Sequence, residues 1–189
     1  MNWLSQLATK HGTDKGPKVH GYTEVYLGHL PTAPQAVLEF GILRGASMRM
    51  WSEFYPEAKL FGVDWGAGSV FSDFFEGAQA NQEISAELRE LAENWAQEFD
   101  LIVDDGAHTL TSQKNCLEVF APWVARGGVY IVEDAEVEGF DLDPPVLEGF
   151  EPPLVLKAPN TSGRSVIYVR SDPCSGGQEE AQAAIVLPA

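Results

Sequence analysis

Apolar residues in this chain fall alternately into short continuous runs and spaced sets. Ala36-Val37-Leu38-Glu39-Phe40, Lys59-Leu60-Phe61-Gly62-Val63-Asp64, the run from Phe99 to Asp104 and Val129-Tyr130-Ile131-Val132 have the length and apolar content of buried strands. Between them the spacing is helical. Met48, Trp51 and Tyr55 mark a helix over residues 46–54 that Pro56 closes, and Ile84, Leu88, Leu91 and Trp95 mark one buried face of a helix over 83–97. Leu117, Phe120 and Val124 mark a third over 110–123, with Arg126-Gly127-Gly128 as the turn into the next strand. Leu154-Val155-Leu156 and Val166-Ile167-Tyr168-Val169 read as a closing antiparallel pair joined by a turn at Asn160-Thr161-Ser162-Gly163. Strands alternating with helices predict an α/β fold, a doubly wound, mostly parallel sheet with helices on both faces.

A length of 189 residues, with 44% hydrophobic and 11% aromatic residues, fits one domain with a real core. That domain is expected over residues 1–170, with a flexible tail over 171–189 where Gly, Gln, Glu and Ala mix without pattern. A formal charge of −16 makes nucleic acid and anionic membrane poor partners, although net charge of either sign also serves solubility. Cys116 and Cys174 belong to no metal or redox motif and read as free thiols. The N-terminus lacks the pattern of a signal peptide and no run is long enough to span a membrane, so the expected setting is cytoplasmic.

The chemistry gathers at strand ends. Asp104-Asp105-Gly106-Ala107-His108 and Glu133-Asp134 each follow an apolar run, and a parallel sheet delivers such ends to one crevice. Carboxylates without thiolates select a hard cation such as Mg²⁺, with Mn²⁺ or Ca²⁺ as alternatives, and His108 beside them is a candidate base. Helix capping and solvated turns are the plain alternative for the acids, and an ordinary turn residue is the alternative for His108. Gly41 and Gly45 open a strand-to-helix turn in G-x-x-x-G spacing, which is neither the dinucleotide fingerprint nor a phosphate loop. The turn is either structural or lets a nucleotide-like ligand approach the backbone. Asp64 ends the next strand about 20 residues later, where an acid accepts hydrogen bonds from ribose hydroxyls or, alternatively, closes a turn. A ribose ligand without a pyrophosphate cradle points to S-adenosylmethionine rather than NAD.

Gly12-Thr13-Asp14-Lys15-Gly16 with His20, Tyr22 and Tyr26, Leu38-Glu39-Phe40-Gly41 through Met50-Trp51, Gly62-Val63-Asp64, Asp104 to His108 with Gln113, and Gly127-Gly128 to Glu133-Asp134 together resemble one family. It is the class I S-adenosylmethionine-dependent O-methyltransferases typified by the macrocin and mycinamicin sugar O-methyltransferases, a group that includes cephalosporin hydroxylase-like sequences. The resemblance covers about residues 10 to 135. It implies a Rossmann-like sheet of seven strands, with residues 1–30 covering the cofactor and active site. It implies Asp105, Glu133 and Asp134 as Mg²⁺ ligands and His108, with Asp105, as the catalytic residues. The cofactor-binding set it implies is Thr13, Lys15, Tyr22, Glu39, Gly41, Gly45, Ser47, Asp64, Gln79 and Asp104. The chain departs from the family after the third strand, where Gly77-Ala78-Gln79 stands for Gly-Asp-Gln and one polar contact near the adenine or ribose is missing.

The implied activity is Mg²⁺-dependent transfer of a methyl group to a hydroxyl of a sugar or other polyhydroxylated small molecule. A catechol or phenolic acceptor is an alternative, with Phe140, Trp65 or Phe71 as its apolar wall, and a non-catalytic cofactor-binding homologue is another. Acceptor choice is expected to lie in residues 66–75 and 144–161, and a homo-oligomer in which a neighbour completes the pocket is compatible with the pattern.

Overall fold

In the computed structural model, which describes residues 1–66, 72–159 and 163–172, the apolar runs become strands of one sheet. They are β1 (Ala36–Phe40), β2 (Lys59–Asp64), β3 (Glu76–Gln79), β4 (Phe99–Asp104), β5 (Val124–Val132), β6 (Leu154–Lys157) and β7 (Arg164–Val169). Their order across the sheet is β3-β2-β1-β4-β5-β7-β6. β1 to β5 run parallel, and β7 runs antiparallel to both of its neighbours, as the closing pair was expected to. Residues 160–162 of the expected turn, Phe71 and the expected tail from 173 onward lie outside the described residues. The winding reverses between β1 and β4, and a crevice opens beyond the strand ends at such a switch point.

The helices are α1 (Trp3–His11), α2 (Tyr22–Tyr26), α3 (Ala46–Phe54), α4 (Ser85–Trp95) and α5 (Leu110–Phe120). Strand alternation sorts the core into two layers. Val37, Leu101, Val103 and Ile131 pack with Leu4 and Leu7 of α1 and Met48 and Trp51 of α3. Leu38, Phe40, Ile102, Tyr130 and Val132 point the other way, to Leu88 and Ala92 of α4 and Leu117 and Phe120 of α5. Among the described residues, no helix is long and apolar enough to cross a membrane.

Three local expectations are corrected. α4 starts only at Ser85, so Ile84 is its cap, 43% exposed, and Ala92 takes the buried place instead. α5 ends at Phe120, because the proline ring of Pro122 fits the tighter 3-10 turn over Ala121–Trp123 better than a continued helix. Arg126-Gly127-Gly128 lies inside β5, not before it: pairing with β4 jumps from Phe99–Val124 to Leu101–Val129, and Gly127 absorbs the excess residues with φ of 72°.

Candidate active site and family

Neighbouring acids at a strand end point to opposite faces, and this decides which of them meet. Asp104, the last residue of β4, faces α5: its carboxylate accepts from Gln82 Nε2 at 2.8 Å, and burial pushes it up to about 7. Asp105 continues the other face, shared with Glu39 of β1 and with Glu133, whose N–H bonds the Asp104 carbonyl at 2.9 Å. Glu39, Asp105 and Glu133 therefore converge on the α1 side, while Asp104 is turned away from them.

Lys15 lies at the centre of that convergence. Its Nζ is fully buried, 2.9 Å from Glu133 Oε1 and 3.2 Å from Glu39 Oε1, and it donates to Asp105 Oδ2. Burial opposes the ammonium charge, but Asp105, Glu133 and Glu39 outweigh it and hold the lysine well above its ordinary value. Burial raises the carboxylates too: Glu39 is pushed up to about 7 despite Lys15, and Glu133 stands well above the usual range through burial and the charge of Asp105.

Asp134 is separate from this inner group. It adopts φ of 47°, a left-handed conformation that turns its carboxylate toward the cleft, where the Tyr22 hydroxyl donates to Oδ1 at 2.5 Å. His108 is also left-handed, with φ of 56°, and its Nε2 lies 3.8 Å from both Asp105 Oδ1 and Asp134 Oδ2. Asp105, His108 and Asp134 offer ligand atoms within 4.8 Å of one another, a set that fits a hard divalent cation. Glu133, expected among the ligands, faces Lys15 instead. Residues with left-handed backbone cluster at functional sites because the surrounding structure must hold them there.

From these three residues a cleft of about 560 Å³ runs to the glycine turn after β1. Its walls include Thr13, Gly41, Ser47, Asp64, Gln82 and Trp65. Gly41 has φ of +81°, and a Cβ there would lie 1.9 Å from the Asp105 carbonyl oxygen, so its missing side chain admits β4, not a ligand. Gly45 caps α3 at φ of 70°. Asp64 accepts from Leu43 N and Gly66 N, each at 2.8 Å, through different oxygens. It closes a turn, and each oxygen keeps a lone pair for a ligand.

Six expected cofactor residues are not among the walls of the cleft: Lys15, Tyr22, Gly45 and Asp104, already placed above, Glu39 behind the cleft on Lys15, and exposed Gln79 on the Trp65 carbonyl at 2.8 Å. Gln82 was not expected. Its Oε1 accepts from Ala107 N at 2.9 Å while Nε2 serves Asp104, and a Cβ at Gly106 would strike it at 1.7 Å. A glutamine between Asn81 and Glu83 looks like surface, and nothing in the local pattern distinguishes it.

The same strand ends appear in a known family: a model described as a methyltransferase domain matches residues 38–135, from β1 to just beyond β5. The chain belongs to the methyltransferase domain family. The matched stretch of this methyltransferase domain holds Glu39, Gly41, Asp64, Asp105, His108, Glu133 and Asp134, while Lys15 and Tyr22 precede it. Two curated relatives lie at similar distance. The domain is 33% identical to 8-demethyl-8-(2-methoxy-alpha-L-rhamnosyl)-tetracenomycin-C 3'-O-methyltransferase of Streptomyces olivaceus and 34% identical to L-olivosyl-oleandolide 3-O-methyltransferase of Streptomyces antibioticus. Each match takes 69% of this chain, which spans only 36% of the relative's length. Among solved structures, the MycE methyltransferase from the mycinamycin biosynthetic pathway, in complex with Mg and SAH, aligns with a TM-score of 0.74 at 21% identity, covering 93% of this chain and 56% of that one. The fold is that of the class I methyltransferases.

Proposed function

We propose that this domain binds S-adenosyl-L-methionine along the wall from Gly41 to Asp64 and transfers its methyl group to a hydroxyl of a sugar or other polyhydroxylated small molecule at the acid end. The observation that carries this reading is the single cleft that joins the glycine turn to Asp105, His108 and Asp134. The relatives named for a rhamnosyl-tetracenomycin and an olivosyl-oleandolide support a glycosidic acceptor.

Asp105 and Asp134 would hold Mg²⁺, or Mn²⁺, at the acid end. Bound there, the cation supplies positive charge that lowers the pKa of an acceptor hydroxyl and orients it. The protein's own residues do the rest. Lys15 fixes Asp105 from behind, Tyr22 fixes Asp134, and such outer partners keep ligand oxygens aimed. His108 Nε2 takes the hydroxyl proton as the oxygen forms its bond to the methyl carbon and the sulfonium sulfur keeps the electron pair of the breaking bond. The cleft aligns the two reactants in line. Glu133 acts through Lys15, not at the cleft.

A phenolic acceptor has less support, because Phe140 is buried in the core at 1% exposure and Trp65 remains as an apolar wall among the described residues proposed for it. The buried free thiol of Cys116 accords with a reducing, cytoplasmic setting. Calorimetric titration with S-adenosylmethionine and its demethylated product, with and without Mg²⁺, followed by turnover on a panel of glycosides and catechols, tests the reading. The expected result is cofactor binding without metal and Mg²⁺-dependent methylation of a glycoside. Failure to bind either form would overturn it, and binding without turnover would favour the non-catalytic alternative.

A further inference from the structure

We propose that Lys15 is a resident cation that fills the place a second divalent metal would take in this acidic cluster. The inference rests on the proposed metal reading of Asp105 and Asp134 and adds an inner cation position behind it. Nζ is wholly buried and meets carboxylate oxygens from three adjacent strand ends, β1, β4 and β5, through Glu39, Asp105 and Glu133. An ammonium has three N–H groups and no acceptor, so three carboxylates saturate it.

Asp105 is divided between the two positions. Its Oδ2 takes Lys15 while its Oδ1 faces His108 in the outer group. One carboxylate shared between two cationic centres is the arrangement of two-metal sites, whose ions lie about 3.5–4 Å apart. Glu39 reinforces the point, because it is wholly buried and the one cation it meets among the described residues is Lys15, at 3.2 Å. Three carboxylates, Glu39, Asp105 and Glu133, thus share one lysine, while Asp134 takes the Tyr22 hydroxyl instead. Buried charge of that sign demands a counter-cation. The lysine cannot drift away from the role, since the Lys15 carbonyl accepts from Thr23 N at 3.1 Å and ties the loop to α2. One cation is therefore covalently supplied, and the cleft is left with room for one exchangeable ion.

Counting bound Mn²⁺ by paramagnetic resonance and calorimetry, without cofactor or acceptor, tests this. Wild type should bind about one ion, Lys15→Ala about two with the spin coupling of a close pair, and Lys15→Arg about one. Adding Glu39→Gln to Lys15→Ala should return the count to about one. No Mn²⁺ on wild type would sink the metal reading and this inference with it. One ion on wild type and still one on Lys15→Ala, or two on wild type, would overturn the inference alone. Should Lys15→Ala melt early without metal, Mn²⁺ filling the vacated place should restore the wild-type midpoint. No recovery in saturating Mn²⁺ would overturn it as well.

Discussion

The two ends of the cleft are built by different means. At the cofactor end the shape is backbone: Gly41 lies against the Asp105 carbonyl at a distance no Cβ tolerates, and Asp64 ties the turns after β1 and β2 together through Leu43 N and Gly66 N. At the acid end the shape is charge: Lys15 and Tyr22 come from a segment outside the sheet and set the positions of Asp105 and Asp134. The first end is sensitive to volume and the second to charge and hydrogen bonding. The family model takes in the strand-end residues of both ends and leaves out Lys15 and Tyr22, which set the positions of the acids.

The largest expected effect comes from volume. Gly41→Ala combines left-handed strain with a backbone clash at 1.9 Å and should cost about 3 kcal/mol or more of stability. Gly45→Ala is strained in φ alone, with Arg49 Nη1 the nearest atom at 3.5 Å, and should cost about 1–2 kcal/mol. Urea midpoints of the two variants give the comparison directly, and equal losses would break it. Function should divide the same way. Asp134→Asn should reduce metal-dependent turnover by at least about 10²-fold with cofactor affinity kept within about threefold, whereas Asp64→Ala should weaken cofactor binding about tenfold. Calorimetry and rate measurements on both variants decide this, and cofactor loss in Asp134→Asn would merge the two ends.

How far the chain was legible follows the same division. Strand runs, the α3 periodicity and the closing pair of β6 and β7 were readable, because each rests on local apolar spacing that burial then enforces. The acids were readable as strand-end residues and Asp105, Asp134 and His108 as one group, but the partners of Asp104 and Glu133, Gln82 and Lys15, were not. Lys15 was expected at the cofactor. Its pairing with Glu39, Asp105 and Glu133 depends on a contact across up to 118 residues of separation, for which no spacing rule exists. Gln82 escaped for the same reason, as its partners Asp104, Ala107 and Cys116 are brought to it only by the assembled sheet and α5.

A subtler probe of the acid end is Tyr22→Phe. The ring stays in place, stacked on His20 at 5.3 Å and on Tyr26 at 6.0 Å, so the substitution removes only the donor to Asp134 Oδ1. Outer partners of metal ligands are typically worth about 10–100-fold in metal affinity, and the lower figure applies where a single bond is lost. Mn²⁺ affinity should therefore fall about tenfold, with the urea midpoint changed little. A normal Mn²⁺ affinity would mean that Asp134 is held by its own backbone conformation, and the acid end would then resemble the cofactor end.

The smallest effect is expected at Gln79, and it bears on where the backbone-built end stops. A direct contact with adenine or ribose would make its removal costly, because a buried site left with an unpaired polar group loses about 1–3 kcal/mol. Gln79 is instead exposed at the end of β3 and clamps the Trp65 carbonyl at 2.8 Å, while Trp65 itself lines the cleft. Its influence then passes through the position of Trp65, where a single exposed hydrogen bond competes with water. Gln79→Ala should weaken cofactor binding by less than about threefold, and Trp65→Ala should weaken it more. A tenfold loss in Gln79→Ala alone would extend the cofactor wall to β3 and make the missing carboxylate at Ala78 a real gap in that wall.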